Sequence, residues 1–534
     1  MKKFILVAFS LLLAFDAVYL SIVGDIRYLM LFIPSALLLW LSTKVRKPEE
    51  KLFADDGLDL GYGIDIENPE QPKRIRVYLE KSAIYLGFLF IGGPGSGKTI
   101  AAINLLKYFT EKAKHGWIYF EGKGDLDIYQ KNEACGNKPD KFFSSELPES
   151  DTTNIAAGDA DDVIEMLTKT LIKSDNEFYR NEQREALSVT VNLLKSLDCE
   201  INLRDIYITL KIDEASVHVI KTAEEQGVAR DTIETARQYF DQDFAKRMEY
   251  TKGLLTNMGR FVTGEVSERL NDYNPSLNLE DAAKNNLKVY MHFPLSELAK
   301  DIATMFTEQL GVIAKNRQLY EKDRTPWPAL YDDWGAFFYN GFGAITARCR
   351  SAKIPCNFMF QSKGQTDKVE IGQAFTTEIL DNIGGFIALK INGMFSANLA
   401  SEQFGKYEST EMSSNSQYAG ENVNVVDKPR VRADAFKDLD SGECYIDTVV
   451  TGEAGKSQNR RIRARFPFPE FSDFNAVEWP TIRHNRDTNL TGLNLWDTFM
   501  NQDRQKLTQE RVTENEYKTF DSRSEENSSE IEYI

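Results

Sequence analysis

Apolar residues along the chain fall into three kinds of spacing. The first is continuous: Phe4 to Val23 runs twenty residues with one charge, Asp16, and Tyr28 to Leu41 is a second apolar run, short for a full span. Together they predict a transmembrane helical hairpin over residues 1–44. Lys2 and Lys3 flank one end and Lys44, Arg46 and Lys47 the other, while the connection holds only Asp25 and Arg27. That asymmetry places both ends, and the bulk of the chain, on the cytoplasmic side. A cleaved signal peptide over residues 1–20 is the rival reading, and it lacks a small-residue cleavage site. Asp16, costly in lipid, points to a partner helix, a neighbouring subunit or a tilted, wetted position.

The second kind is a succession of short apolar runs separated by helical periodicity. The alternating run Arg74-Ile75-Arg76-Val77-Tyr78-Leu79 suits a strand beside a buried strand over Ala83 to Ile91. A helix follows over Ile100 to Lys114, then the strand Trp117 to Phe120, which ends in Glu121-Gly122-Lys123-Gly124-Asp125. Further on come the strand Leu287 to Phe293, a helix from Leu295 to about Tyr320, and the strand Ala329 to Tyr331, closed by Asp332-Asp333. A helix over Gly341 to Ser351 precedes the strand Asn357 to Phe360, and strands at Phe386 to Lys390, Glu443 to Asp447 and Ile462 to Phe466 complete the set, with a helix over Ser396 to Lys406. Five or more strands alternating with helices predict an α/β fold with a parallel, RecA-like sheet.

The third kind, from Asp159 to Glu280, is helical throughout: Asp162–Leu171, Tyr179–Leu197, Leu203–Leu210, Glu214–Gln226 and Arg230–Leu255. It reads as an all-α insertion. The resulting division is 1–44 anchor, 45–158 with 281–485 nucleotide-binding fold, 159–280 insertion, and 486–534 tail. From Glu510 to Ile534 eight acids face three bases, so the tail reads as disordered and acidic, a candidate partner-binding segment.

Composition adds limits. With 534 residues, 42% apolar and 27% charged, the chain is of ordinary globular make-up and long enough for two or three domains. Its five cysteines and four histidines are dispersed, which indicates neither a disulfide framework nor a zinc site. The net charge of -17 argues against a surface coated in nucleic acid but does not forbid a basic channel inside an assembly. Lys73-Arg74-Arg76 and Arg460-Arg461-Arg463-Arg465 are either nucleic-acid contacts or solvated strand faces.

Chemistry enters at Gly92-Gly93-Pro94-Gly95-Ser96-Gly97-Lys98-Thr99, followed by Ile100, between a predicted strand and a predicted helix. This is the phosphate-binding P-loop pattern: glycines let successive N–H groups turn inward, the helix N-terminus adds its positive end, Lys98 reaches the terminal phosphates and Thr99 can ligate Mg²⁺. ATP and Mg²⁺ are the implied cofactors. Asp332, delivered by an apolar strand, is a candidate for the Mg²⁺ shell, and Asp333 for orienting water. Gln361 at a strand end is a candidate sensor of the γ-phosphate. Arg348 and Arg350 are candidates for acting in trans on a neighbouring subunit's nucleotide, with a salt-bridged surface helix as the alternative.

The order of these features resembles the type IV secretion coupling proteins, membrane-anchored ATPases of conjugation and effector secretion. The resemblance spans roughly residues 1–470: the two-helix anchor, GGPGSGKT, the stretch Glu121 to Asp125, a helical domain before the Asp332 strand, Tyr331-Asp332-Asp333-Trp334-Gly335, the arginine-bearing helix, and Gln361-Ser362 with Gln365. One departure is Asp333, where the family usually has Glu; it bears on hydrolysis. The resemblance implies a hexameric motor at a bacterial inner membrane that passes DNA–protein complexes, including relaxase-bound single strands, or effector proteins to the channel components of a secretion system. An ATP-binding receptor platform with weak hydrolysis, and another membrane-tethered RecA-like DNA pump, are the alternatives.

Overall fold

The computed structural model describes residues 57–339, 341–365, 375–414, 421–451, 457–472 and 492–500. The two apolar runs within residues 1–44 and the acidic stretch 510–534 lie outside the described residues. Among those described, no helix is long and apolar enough to cross a membrane.

An eleven-stranded sheet forms the centre. Its strands are β1 (Leu58–Asp65), β2 (Lys73–Leu79), β3 (Phe88–Ile91), β4 (Trp117–Glu121), β5 (Lys141–Ser144), β6 (Lys288–His292), β7 (Ala329–Asp332), β8 (Cys356–Phe360) and β9 (Gly385–Ala388). After β10 (Lys406–Ser414) and β11 (Glu421–Pro429), which pair as a separate hairpin, come β12 (Glu443–Thr451) and β13 (Ser457–Arg465). The order across the large sheet is β2-β1-β13-β12-β9-β3-β8-β7-β4-β6-β5. From β9 to β5 every pairing is parallel, whereas β12, β13, β1 and β2 join antiparallel.

Continuous apolar runs suit strands covered on both faces. In β3, Phe88 and Phe90 enter one core cluster while Leu89 and Ile91 enter the other; β4 divides in the same way, with Trp117 and Tyr119 on one face and Ile118 and Phe120 on the other. Helices α1 (Lys98–Lys107) and α2 (Asp127–Ala134) cover the first face. On the second lie α3 (Ala160–Leu171), α4 (Glu177–Lys195), α5 (Leu203–Lys211), α6 (Asp213–Glu225), α7 (Arg230–Phe240), α8 (Phe244–Val262), α9 (Glu297–Tyr320) and α10 (Phe342–Ser351). The helices within 160–262 share this core with the sheet: Val163 and Leu167 of α3 belong to the same cluster as Phe306 of α9 and Phe143 of β5.

The structure corrects several expectations. Residues Ala83 to Ile91 are not one strand; Lys81–Ile84 is a helical turn, and Gly87, at φ 82°, swings the chain into β3. A Cβ at Gly87 would lie 2.1 Å from the Cys356 carbonyl oxygen, so the close approach of β8 imposes the break. Strand β2 is at the sheet edge, paired to β1, rather than beside β3. Strands β12 and β13 are antiparallel to their neighbours. The helix expected over Arg230–Leu255 is two, because the Asp243 side chain accepts the Lys246 N–H and starts α8 anew. The helix expected to reach Lys114 as α-helix widens into a π-helical stretch over Tyr108–Ala113, closed by Lys114 at φ 57°.

Part of the expected disordered tail is docked. Residues Gly492 to Met500 lie on the helices of the second face, with Leu495 buried. The Leu493 N–H donates to the Glu200 carbonyl at 3.1 Å, the Leu495 N–H to Asp205 Oδ1 at 3.0 Å and the Asn494 N–H to the Tyr273 hydroxyl at 2.9 Å. Tyr273 in turn donates to Asp205, and Arg204 stacks on the Trp496 ring. Burial pushes the Asp205 carboxyl up to about 6, against the pull of the N–H groups that it accepts.

Candidate functional site

Parallel pairing aligns the carboxyl ends of β3, β8, β7 and β4, the edge at which open α/β sheets bind ligands. Ile91 pairs with Phe360, and Glu121 with Asp332, so the loops that follow these strands converge. Gly92 to Thr99 leaves β3 with the Gly92 N–H on the Phe360 carbonyl and the Gly93 N–H on the Lys390 carbonyl. Gly97, left-handed at φ 99°, is the N-cap of α1. A Cβ there would meet the Gly442 nitrogen at 2.4 Å, and the Gly442 N–H donates to the Ser96 carbonyl at 2.9 Å. The turn before β12 thus clamps the loop from behind.

A cleft of about 360 Å³ opens over this loop. Gly93 to Ile100 line it, together with Asp332, Asp333, Gln361, Glu121 and Lys123; Gly92 lies just behind. Lys98 is buried, its Nζ donating to the Gly92 carbonyl at 2.7 Å and the Gly93 carbonyl at 3.3 Å. Burial pulls its pKa down, and the charges of Asp333 and Asp332 oppose that shift. Tyr119 donates to Asp332 Oδ2 at 2.8 Å. Desolvation, with Asp333 beside it, pushes the Asp332 carboxyl up to about 6. Asp333 is left-handed at φ 49° and accepts at Oδ1 from Gln361 Nε2 at 2.9 Å. The Gln361 N–H is itself held by Gln365 Oε1 at 2.9 Å.

The cleft fits a phosphate chain and a divalent cation. Among the described residues, Ser96 Oγ and Asp332 Oδ1 are buried there without a hydrogen-bond partner, and a buried ammonium faces two acids that only partly balance its desolvation. Thr99 and Asp332 are the side chains able to hold Mg²⁺, which would supply charge neutralisation at the phosphates.

Sequence reasoning brought Lys98, Thr99, Asp332, Asp333 and Gln361 to one place. It gave no separate role to Glu121, which is buried beside Asp332 and pushed up to about 8 chiefly by burial; its carboxylate accepts the Lys123 and Gly124 N–H groups and shapes the turn. It missed Ser441, Phe468 and Phe471, which also line the cleft. The run Phe466-Pro467-Phe468-Pro469-Glu470-Phe471, with proline-flanked aromatics after a strand, was the available signal. Arg348 and Arg350 do not line the cleft; both are exposed in the last turn of α10, toward the start of β8 rather than its carboxyl end. Arg460, Arg461, Arg463 and Arg465 each face an acid, namely Asp65, Glu67, Glu443 and Asp440, so this run is largely neutralised within the chain.

No family model matches the chain, and no curated protein matches it in sequence. Solved structures do. The bacterial conjugative coupling protein TrwB, lacking its first 70 residues and in an unbound form, aligns with a TM-score of 0.52 at 12% identity, over 76% of this chain and 90% of that one. The chain shares its fold with this coupling protein. A complex of the plasmid coupling protein TrwB with the GTP analogue GDPNP aligns at a TM-score of 0.51 and 11% identity, over 76% and 91% of the two chains. The coupling-protein fold read from the order of sequence landmarks is therefore present, at an identity too low for local sequence comparison to register.

Proposed function

We propose that the chain is a membrane-anchored, Mg²⁺-dependent ATPase that couples hydrolysis to the passage of DNA–protein substrates into a conjugative type IV secretion channel, working as a ring of identical subunits on the cytoplasmic face. The observation that carries the reading is the convergence of Lys98, Thr99, Asp332, Asp333 and Gln361 on one cleft within a fold shared with TrwB. Lys98 binds the terminal phosphates and Ser96 donates to them. Thr99 and Asp332 hold the cation. Asp333, its direction fixed by Gln361, orients the attacking water and takes its proton. Gln361, bonded to Asp333 and bordering the phosphates, reports γ-phosphate loss to β8.

The test is ATP hydrolysis by the full chain in detergent or lipid, with single-stranded DNA, double-stranded DNA or no DNA, across a salt series. Turnover that rises with DNA, with the rise falling steeply as salt releases counterions, is the expected result. Lys98→Ala is expected to lose nucleotide binding while remaining folded, because among the described residues its ammonium bonds to the Gly92 and Gly93 carbonyls of the loop itself. Turnover indifferent to DNA in assembled rings favours an effector-receptor platform. An absence of both binding and turnover overturns the ATPase reading.

A further inference from the structure

The cleft has two chemically different ends. Near Lys98, Asp332 and Gln361 it is charged; along the first turns of α1 it passes Ile100 and Ile103 and reaches Ile128, Phe468 and Phe471, whose side chains carry no polar atom. Phe468 is 71% exposed although Phe466, two residues earlier, is buried. An aromatic ring left open to water on the lip of a polar cleft is a surface that the fold itself does not use.

The segment presenting it is tied down at both ends. The Phe466 N–H donates to the Gly442 carbonyl at 3.0 Å, and Asn104 Nδ2 of α1 donates to the Pro467 carbonyl at 2.9 Å. At the far end Cys135 Sγ lies 3.4 Å from the Glu470 carbonyl, and the Ser472 N–H and hydroxyl both donate to the Ala134 carbonyl at 2.8 Å. Pro467 and Pro469 flank Phe468 and fix φ on either side. The strap therefore crosses from the end of β13, over α1, to the end of α2 as a pre-organised bridge. A ring held this way loses little freedom on binding.

We infer that Phe468, with Phe471 beside it, is the platform on which the base of the nucleoside triphosphate stacks, an inference that rests on the nucleotide reading of the charged end. A flat heterocycle matches an apolar end of this kind, and stacking recognises the face of a base rather than its edge. Of the polar groups bordering this end, Asp127 and Lys131 pair with each other, the Pro467 and Glu470 carbonyls are already engaged, and Ser441 adds one hydroxyl, so the ring faces dominate the surface a base would meet. The site therefore takes adenine and guanine with similar affinity.

Binding of ATP, GTP and inorganic tripolyphosphate to the full chain tests this, with wild type, Phe468→Ala and Phe468→Trp compared. Phe468→Ala is expected to weaken ATP and GTP about ten-fold or more, the loss of one base–aromatic stack, with tripolyphosphate binding unchanged and ATP binding retained in Phe468→Trp. Unchanged ATP affinity in Phe468→Ala overturns the inference, as does an equal loss for tripolyphosphate, which would make the ring merely structural. Strong preference for one purine overturns the edge-blind reading. Failure of the wild type to bind either ATP or tripolyphosphate is a separate result, which removes the nucleotide site altogether.

Discussion

Gln361 Nε2 donates to Asp333 Oδ1 at 2.9 Å, joining the ends of β8 and β7 across the floor of the cleft. Asp333 sits left-handed at φ 49°, a conformation that Asp tolerates better than longer side chains. The short acid and the glutamine thus form one unit: the backbone favours Asp, and Gln361 sets where its carboxylate points. Asp333→Asn keeps an acceptor for Gln361 and removes the charge. Its turnover is expected to fall at least about a hundredfold, the usual contribution of a general base, with ATP affinity retained. Asp333→Glu keeps the charge but displaces it by a methylene, and its turnover should lie between those of wild type and Asn. Steady-state kinetics beside direct ATP binding separate the two effects.

Gln361→Ala frees the carboxylate without touching the phosphates' main ligands. Turnover should fall by less than in Asp333→Asn, and the stimulation by DNA should fall with it if β8 carries the signal. Comparing basal and DNA-stimulated rates decides this; unchanged kinetics would show that the bond does not position Asp333.

The loop glycines are not equivalent. Gly97→Ala forces a Cβ to 2.4 Å from the Gly442 backbone nitrogen at φ 99°, and is expected to cost about 2 kcal/mol or more and to abolish ATP binding. Gly95, at φ 70°, has no atom within 4 Å of its ideal Cβ, so Gly95→Ala should cost only about 1 kcal/mol of backbone strain. Thermal unfolding of the two variants, with and without ATP, checks the ranking.

Asp205 supplies a pH dependence. Its carboxyl, ordinarily near 3.8, is pushed up to about 6 by burial, so the folded chain holds a proton that the unfolded chain has lost between those values. The folded state binds more protons there, and its stability falls as pH rises from about 4 to about 6, then levels. Asp205→Asn removes that term and should flatten the slope of thermal midpoint against pH in this window. Because the amide offers one acceptor where the carboxylate offers two, the variant should also release Gly492 to Met500 to protease at neutral pH.

What the sequence disclosed and what it hid follow from the range of the interactions. The Gly92–Thr99 loop, the β3–α1 junction and Asp332 at the end of β7 are specified by residues adjacent in the chain, and turn chemistry and periodicity reveal them. The edge position of β2 depends on pairing of β1 with β13, where Ile64 meets Arg463, and nothing near Arg74 announces that partner. The break in β3 at Gly87 arises from the approach of Cys356, and the strap at Phe468 from contacts with α1 and α2. The docking of Leu495 was masked by the acidic residues that follow it, whose composition dominated the reading of the whole tail.

That docking has a consequence for how the protein is made. Asp205 and the Leu495 N–H that it accepts are 290 positions apart. Synthesis at roughly 5–20 residues per second separates them by tens of seconds on the ribosome. Through that interval Asp205 of α5 has its bonds from Asn202 and Tyr273 but lacks the one from Leu495. The nucleotide cleft needs residues only as far as Ser472 and is complete first. A message cut short before the Leu495 codon would therefore yield a chain with an intact cleft beneath an unfinished helical layer.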